Sequence, residues 1–245
     1  MKFWKFIKNL SADSGPENIE LRIDGDIVSD DDVWLYEWCG MQCASPNTFK
    51  NELAQYSGKD ITVWIDSYGG DVFAAAGIYN ALKEHKGNVT VKIDGKAMSS
   101  ASVIAMAGST IQMSPVATMM IHDPLTSAQG YASDLRKAAD VLDTVKESIM
   151  NAYQLKTGKS RAKISQMMDD ESYMDAKTAI KNGFADSMLY TDTKTPSDVM
   201  NFDFNRHAIL NCANSSMKRL IELENPPQNA ETEKAKAMLA LQLLL

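Results

Sequence analysis

Histidine and cysteine number only three each in 245 residues. Cys39, Cys43 and Cys212 leave an odd count, which argues against a disulfide framework and for reduced thiols in a cytoplasmic protein. Cys39 and Cys43 have no second ligand pair nearby, so no metal site is expected. Positive charge is also short: 25 Lys and Arg stand against 32 Asp and Glu, for a net charge of -7. Phosphate backbones are bound by clustered cations, so nucleic acid is not expected as a partner. No apolar run approaches the roughly 18 residues that span a bilayer, so no membrane partner is expected. The opening MKFWKFIKNL has Lys5 and Lys8 among its apolar positions and lacks a signal-peptide core. What is present is ordinary globular material, 44% apolar and 23% charged, enough for one medium domain with extensions.

Along the chain, Phe3, Ile7 and Leu10 recur at helical spacing and predict a short amphipathic helix over 1–12. SADSGPEN is a linker by composition. Ile19–Ile27 alternates as a strand, 29–45 has no clear period, and 46–56 reads as a helix. A regular pattern follows: strand 61–67, a Tyr68-Gly69-Gly70 turn, helix 71–85, strand 88–94, a turn over 95–98, helix 99–107, then strands at 110–113 and 117–121. This order implies an α/β fold with a parallel sheet. Ser133 is the expected cap of a long helix to about 157, striped by Leu135, Ala138, Leu142, Val145, Ile149 and Ala152 and stopped by Gly158. Such a stripe on so long a helix implies that it projects and packs against something further, another part of the chain or another subunit. The expected organisation is an N-terminal segment and linker over 1–18, a main domain over 19–191, and an appended tail over 192–245 ending in a leucine-rich helix.

The chemistry concentrates where two strands run into two helices. In parallel sheets this edge, at the strand C-termini, is where sites form. Ser99 opens a small, apolar helix, as a nucleophile at a helix N-terminus requires. His122 ends a later strand at the same edge and is the expected base, since His85 lies near a helix end among lysines and His207 lies in the tail. Glycine at 69 and 70 lets the backbone approach a ligand closely. The N–H groups of Gly70 and Ser100 are the expected oxyanion donors. The orienting acid is expected in Asp169-Asp170-Glu171. Ser102 reads as buried spacing, Lys96 as a solvated lysine rather than half of a Ser–Lys dyad. Thr157-Gly158-Lys159-Ser160 lacks the glycine and the preceding strand that a phosphate-binding loop needs.

In order, DSYGGDVFAAAGIYNAL, GKAMSSASVIAMAG, MMIHDP and DDESYMDAKTAIKNGFADSML resemble the Clp protease proteolytic subunit family from about Ile19 to Leu189. Among its branches they are most similar to phage prohead, or head-maturation, proteases. The resemblance implies a crotonase-like (ClpP-like) fold of repeated ββα units, with the 133–157 helix as a handle joining stacked seven-membered rings. It carries the nucleophile to Ser99, the base to His122, the oxyanion donors to Gly70 and Ser100, and the acid to Glu171. Two departures stand out. Tyr68 replaces the family's turn proline, and the acid is Glu rather than Asp, which leaves Asp170 as an alternative. Gly69, Asp123 and Pro124 flank these positions and are expected to contact substrate. The implied activity is a serine endopeptidase without cofactor or metal, forming an acyl-enzyme and processing capsid or scaffold proteins in the host cytoplasm or procapsid. Any ATP use would belong to a separate ATPase partner. The rival expectations are a bacterial degradative subunit working with an unfoldase, an inactive assembly scaffold, and a crotonase-type acyl-CoA enzyme.

Overall fold

Strict alternation of apolar residues builds the sheet. In the computed structural model, strands β2 (Asn18–Ile27), β4 (Ile61–Gly70), β5 (Val89–Met98) and β6 (Thr110–Met113) run parallel. Their register stacks Leu21, Val63, Val91 and Ile111 in one row and Ile23, Ile65, Ile93 and Met113 in the next. All eight side chains are buried, each worth about 1.5–3 kcal/mol against exposure. The intervening residues face the other way. There Arg22 pairs with Asp24 and Asp94 at 3.0 and 2.8 Å. The structure describes residues 7–9 and 18–190, within one unit spanning Met1–Lys194. The expected tail, with Cys212 and His207, lies outside them.

Helices α3 (Val72–Glu84) and α4 (Ser100–Ala105) each follow a central strand directly. Helix α3 is capped by Asp71, whose carboxylate accepts from the Ala74 N–H at 2.6 Å. The segment without clear period forms α1 (Val33–Cys39) and β3 (Cys43–Ala44), followed by α2 (Pro46–Leu53). Strand β5 serves two neighbours. Its first half pairs with β6, and Lys96–Met98 pair with β7 (Thr118–Ile121). Beyond come the long helix α5 (Ala132–Thr157), α6 (Arg161–Asp169), β8 (Ser172–Asp175), α7 (Ala176–Asn182) and β9 (Ser187–Met188). Strand β8 returns antiparallel to β7.

The structure corrects three local expectations. Within the segment expected to be helical, Ile7–Asn9 is a strand, β1, antiparallel to β2, because edge pairing satisfies its backbone. Ser133 is not the cap of α5: the chain enters at Tyr131, whose N–H donates to Asp134 Oδ2 at 2.8 Å. The residues expected to turn after each strand are strand. β4 continues through Gly70 and β5 through Met98, leaving Ser99 alone to reverse the chain. Only the C-terminal part of α5 is embedded, through Ile149, Met150, Ala152 and Tyr153. Leu135 and Val141 in its outer half remain about half exposed, at 47% and 50%.

Candidate active site

Ser99 is held in a conformation that L-residues rarely adopt, φ 52° and ψ -129°. Its N–H donates to Met120 O at 2.9 Å, and its carbonyl accepts from the Ser102 N–H at 3.0 Å. The Ser102 hydroxyl also donates to that carbonyl at 2.6 Å and lies 2.7 Å from the Tyr153 hydroxyl of α5. Strand, strained serine and helix in immediate succession is the geometry that thrusts a nucleophile's hydroxyl clear of a sheet edge. Ser102 therefore does more than fill space. Nothing in the sequence pairs it with Tyr153, 51 positions away.

Two registers bring the partners in. Met98 pairs with Met120 in the parallel ladder, and Ile121 with Ser172 in the antiparallel one. One residue beyond these pairs stand Ser99, His122 and Glu171. His122 Nε2 lies 2.7 Å from Ser99 Oγ. Burial lowers the His122 pKa below its ordinary 6.5, opposed by the charges of Glu171 first and Asp123 second. The ring is thus neutral near pH 7 and able to take the serine proton. Glu171 is exposed, in a left-handed conformation at φ 46°, with its N–H on Met168 O at 3.0 Å. Asp170 ends α6, with its N–H on Gln166 O.

Gly69 and Gly70 have φ of +102° and +145°. A Cβ on Gly69 would lie 2.7 Å from Met98 O, 2.9 Å from Ser99 Cβ and 3.0 Å from Ser100 N, so this glycine packs directly on the serine turn. Its own N–H donates to Ser67 Oγ at 3.0 Å. Gly70 is exposed, and a Cβ there would strike Ile27 O at 2.1 Å. Ser100 is the first residue of α4, where helical N–H groups have no intrahelical acceptor. Its hydroxyl is buried with no hydrogen-bond partner.

Asp123 and Pro124 follow His122 and are half-buried. Asp123 is ion-paired with Lys146 of α5 at 2.9 Å. Lys96 is not the solvated lysine expected: Asp66 holds it at 2.6 Å and the Tyr68 ring lies 4.3 Å beneath it, so a Ser–Lys dyad has no geometric support. His85 bonds Lys59 O at the surface. Gly158 ends α5 and Ser160 caps α6, which accounts for the spurious phosphate-loop string. Cys39 and Cys43 are free, and burial raises the Cys43 thiol to about 11, leaving it protonated and inert. Among the described residues no group of three or more His, Cys, Asp or Glu could hold a metal ion, and no helix is long and apolar enough to cross a membrane.

Residues 52–192, more than half of the chain, match the Clp protease family. The chain belongs to this family. It is 34% identical over 134 residues to an ATP-dependent Clp protease proteolytic subunit of Bacteroides fragilis, covering 54% of this chain and 65% of that relative. A Porphyromonas gingivalis subunit of the same name is 34% identical over 139 residues, covering 56% of this chain and 63% of the relative. The match thus spans less than two thirds of these relatives. The parallel sheet with its strand-to-helix units agrees with the Clp protease fold expected from the motifs.

Proposed function

We propose that this Clp family member is a serine endopeptidase. Ser99 attacks the peptide carbonyl, and His122 takes its proton and returns it to the leaving amine. Glu171 orients the imidazole and stabilises it when charged. The N–H groups of Gly70 and Ser100 hold the oxyanion. Gly70 is assigned rather than Gly69 because the Gly69 N–H is already committed to Ser67. The observation that carries the reading is the 2.7 Å approach of His122 Nε2 to a strained Ser99. A cavity of about 300 Å³ lies against α3, α4 and α5, lined in part by Val72, Tyr79, Val103, Val145 and Ile149. Val72 is two residues past Gly70, and Val103 is one helical turn past Ser99. An apolar substrate side chain beside the cleaved bond fits this lining.

The substrates proposed are capsid or scaffold proteins, supported by the resemblance to head-maturation proteases. The second reading, a degradative subunit fed by a separate unfoldase, is favoured by the names of the bacterial relatives. Purified protein is expected to cleave fluorogenic peptides with an apolar residue at the cleavage position. Ser99→Ala is expected to lose at least about 10⁴-fold of that rate. Cleavage of folded protein only when an ATP-driven unfoldase is added would select the second reading. Undiminished peptide cleavage by Ser99→Ala would overturn both.

A further inference from the structure

Beyond Ile121 and Ser172 the β7–β8 ladder stops, so its hydrogen bonds no longer hold the segments bearing His122 and Glu171. One cation joins them. Lys146 Nζ, from α5, lies 2.9 Å from Asp123 Oδ1 and 3.0 Å from Oδ2, and is also paired with Asp169. Asp123 follows His122 directly, and Asp169 stands two residues before Glu171. The lysine is the enclosed member of the cluster: its side chain is 17% exposed, against 41% for Asp123 and 54% for Asp169. Asp123 Oδ1 is buried without a hydrogen bond of its own, so the nearby cation is what compensates it. Removing one partner of such a pair leaves an uncompensated charge beside the base.

We infer that Lys146 is a positioning residue, holding the His122 and Glu171 segments together through Asp123 and Asp169. This rests on the serine-peptidase reading. The lysine touches no reacting atom; it acts by fixing where the imidazole and the carboxylate stand. Small displacements of such groups cost on the order of 10²-fold in rate. Glu171 and Asp123 act on His122 directly, and Asp169 and Lys146 adjoin Asp123. Loss of the cation therefore leaves the surroundings of the ring more negative, which favours the imidazolium.

The test uses the full chain with Lys146→Met and Lys146→Arg. Two readouts are taken across pH: the rate of Ser99 labelling by a fluorophosphonate, and the His122 imidazole titration by NMR. Lys146→Met is expected to label roughly 10-fold to 100-fold more slowly. Its acid limb and its His122 titration are both expected to move to higher pH, and Lys146→Arg to restore both. An unmoved titration together with wild-type labelling overturns the inference. So does slow labelling with an unmoved titration that Arg does not rescue, which marks a purely structural lysine. A wild type that does not label while its His122 titration still responds to Lys146→Met overturns the peptidase reading alone. If Lys146→Met does not fold, Asp169→Asn, at the exposed end of the bridge, is used instead. Slower labelling supports the bridge, and a wild-type rate overturns it.

Discussion

At the scale of single residues, the two adjacent acids divide by strand phase. Asp170 and Glu171 differ by one position, and sequence spacing alone leaves both open. The β7–β8 ladder ends at Ile121 and Ser172, and Glu171 stands one position beyond that last pair, as His122 does, with Asp170 one position further off. The charge felt by His122 is that of Glu171. The charge of Glu171 raises the His122 pKa against the larger lowering by burial. Removing that charge in Glu171→Gln is therefore expected to lower the His122 pKa further and carry the acid limb of kcat/KM to lower pH. The same change is expected to reduce kcat on the order of 10³-fold to 10⁴-fold through loss of orientation. Asp170→Asn is expected to leave both quantities near wild type. A pH–rate profile of the two variants decides between the acids, and the reverse pattern would move the role to Asp170. Ser99 and His122 were legible because each sits at a strand end beside a small or motif-like context. Lys146 was not, because a lysine on a polar helix face carries no local mark of the loops it joins.

Among the elements, α5 ties itself to the Ser99 turn. Tyr153 on its embedded part meets the Ser102 hydroxyl, which holds the carbonyl of Ser99. Ser102→Ala leaves the fully enclosed Tyr153 hydroxyl without that partner, at an expected cost of about 1–3 kcal/mol. Tyr153→Phe removes the hydroxyl itself and leaves Ser102 bonded to Ser99, so the expected loss is smaller, about 1 kcal/mol. Urea denaturation of both variants checks the order, and a larger loss for Tyr153→Phe would contradict it. The strands β2, β4 and β5 were readable because alternation survives in any parallel sheet with one charged face. The C-terminal extents of β4 and β5 were not, because Gly69-Gly70 and Gly95 read as turns in the sequence although the strands continue through them. The cap of α5 was misplaced for a related reason. Ser133 has the right chemistry, but Asp134 reaching back to the Tyr131 N–H closes the helix one residue before it begins.

For the molecule as a whole, the embedded and projecting parts of α5 imply different partners. Its base is anchored by Lys156 on Asp186 at 2.8 Å. Its outer half presents Leu135 and Val141 about half exposed, apolar surface available to a second subunit. The protein is therefore expected to sediment as an oligomer at micromolar concentration. Leu135→Glu with Leu142→Glu is expected to shift it to a smaller species without unfolding it, and a wild-type monomer would contradict this. The sheet, the strand-to-helix units and the long helix were visible in periodicity alone, whereas ring assembly rests on family likeness. Whether Ser99 is an activated nucleophile is read from fluorophosphonate labelling followed by peptide mapping. A single adduct on Ser99 is expected, absent in Ser99→Ala and strongly slowed in His122→Ala. A folded wild type that takes up no label, or takes it up at another serine, would contradict it.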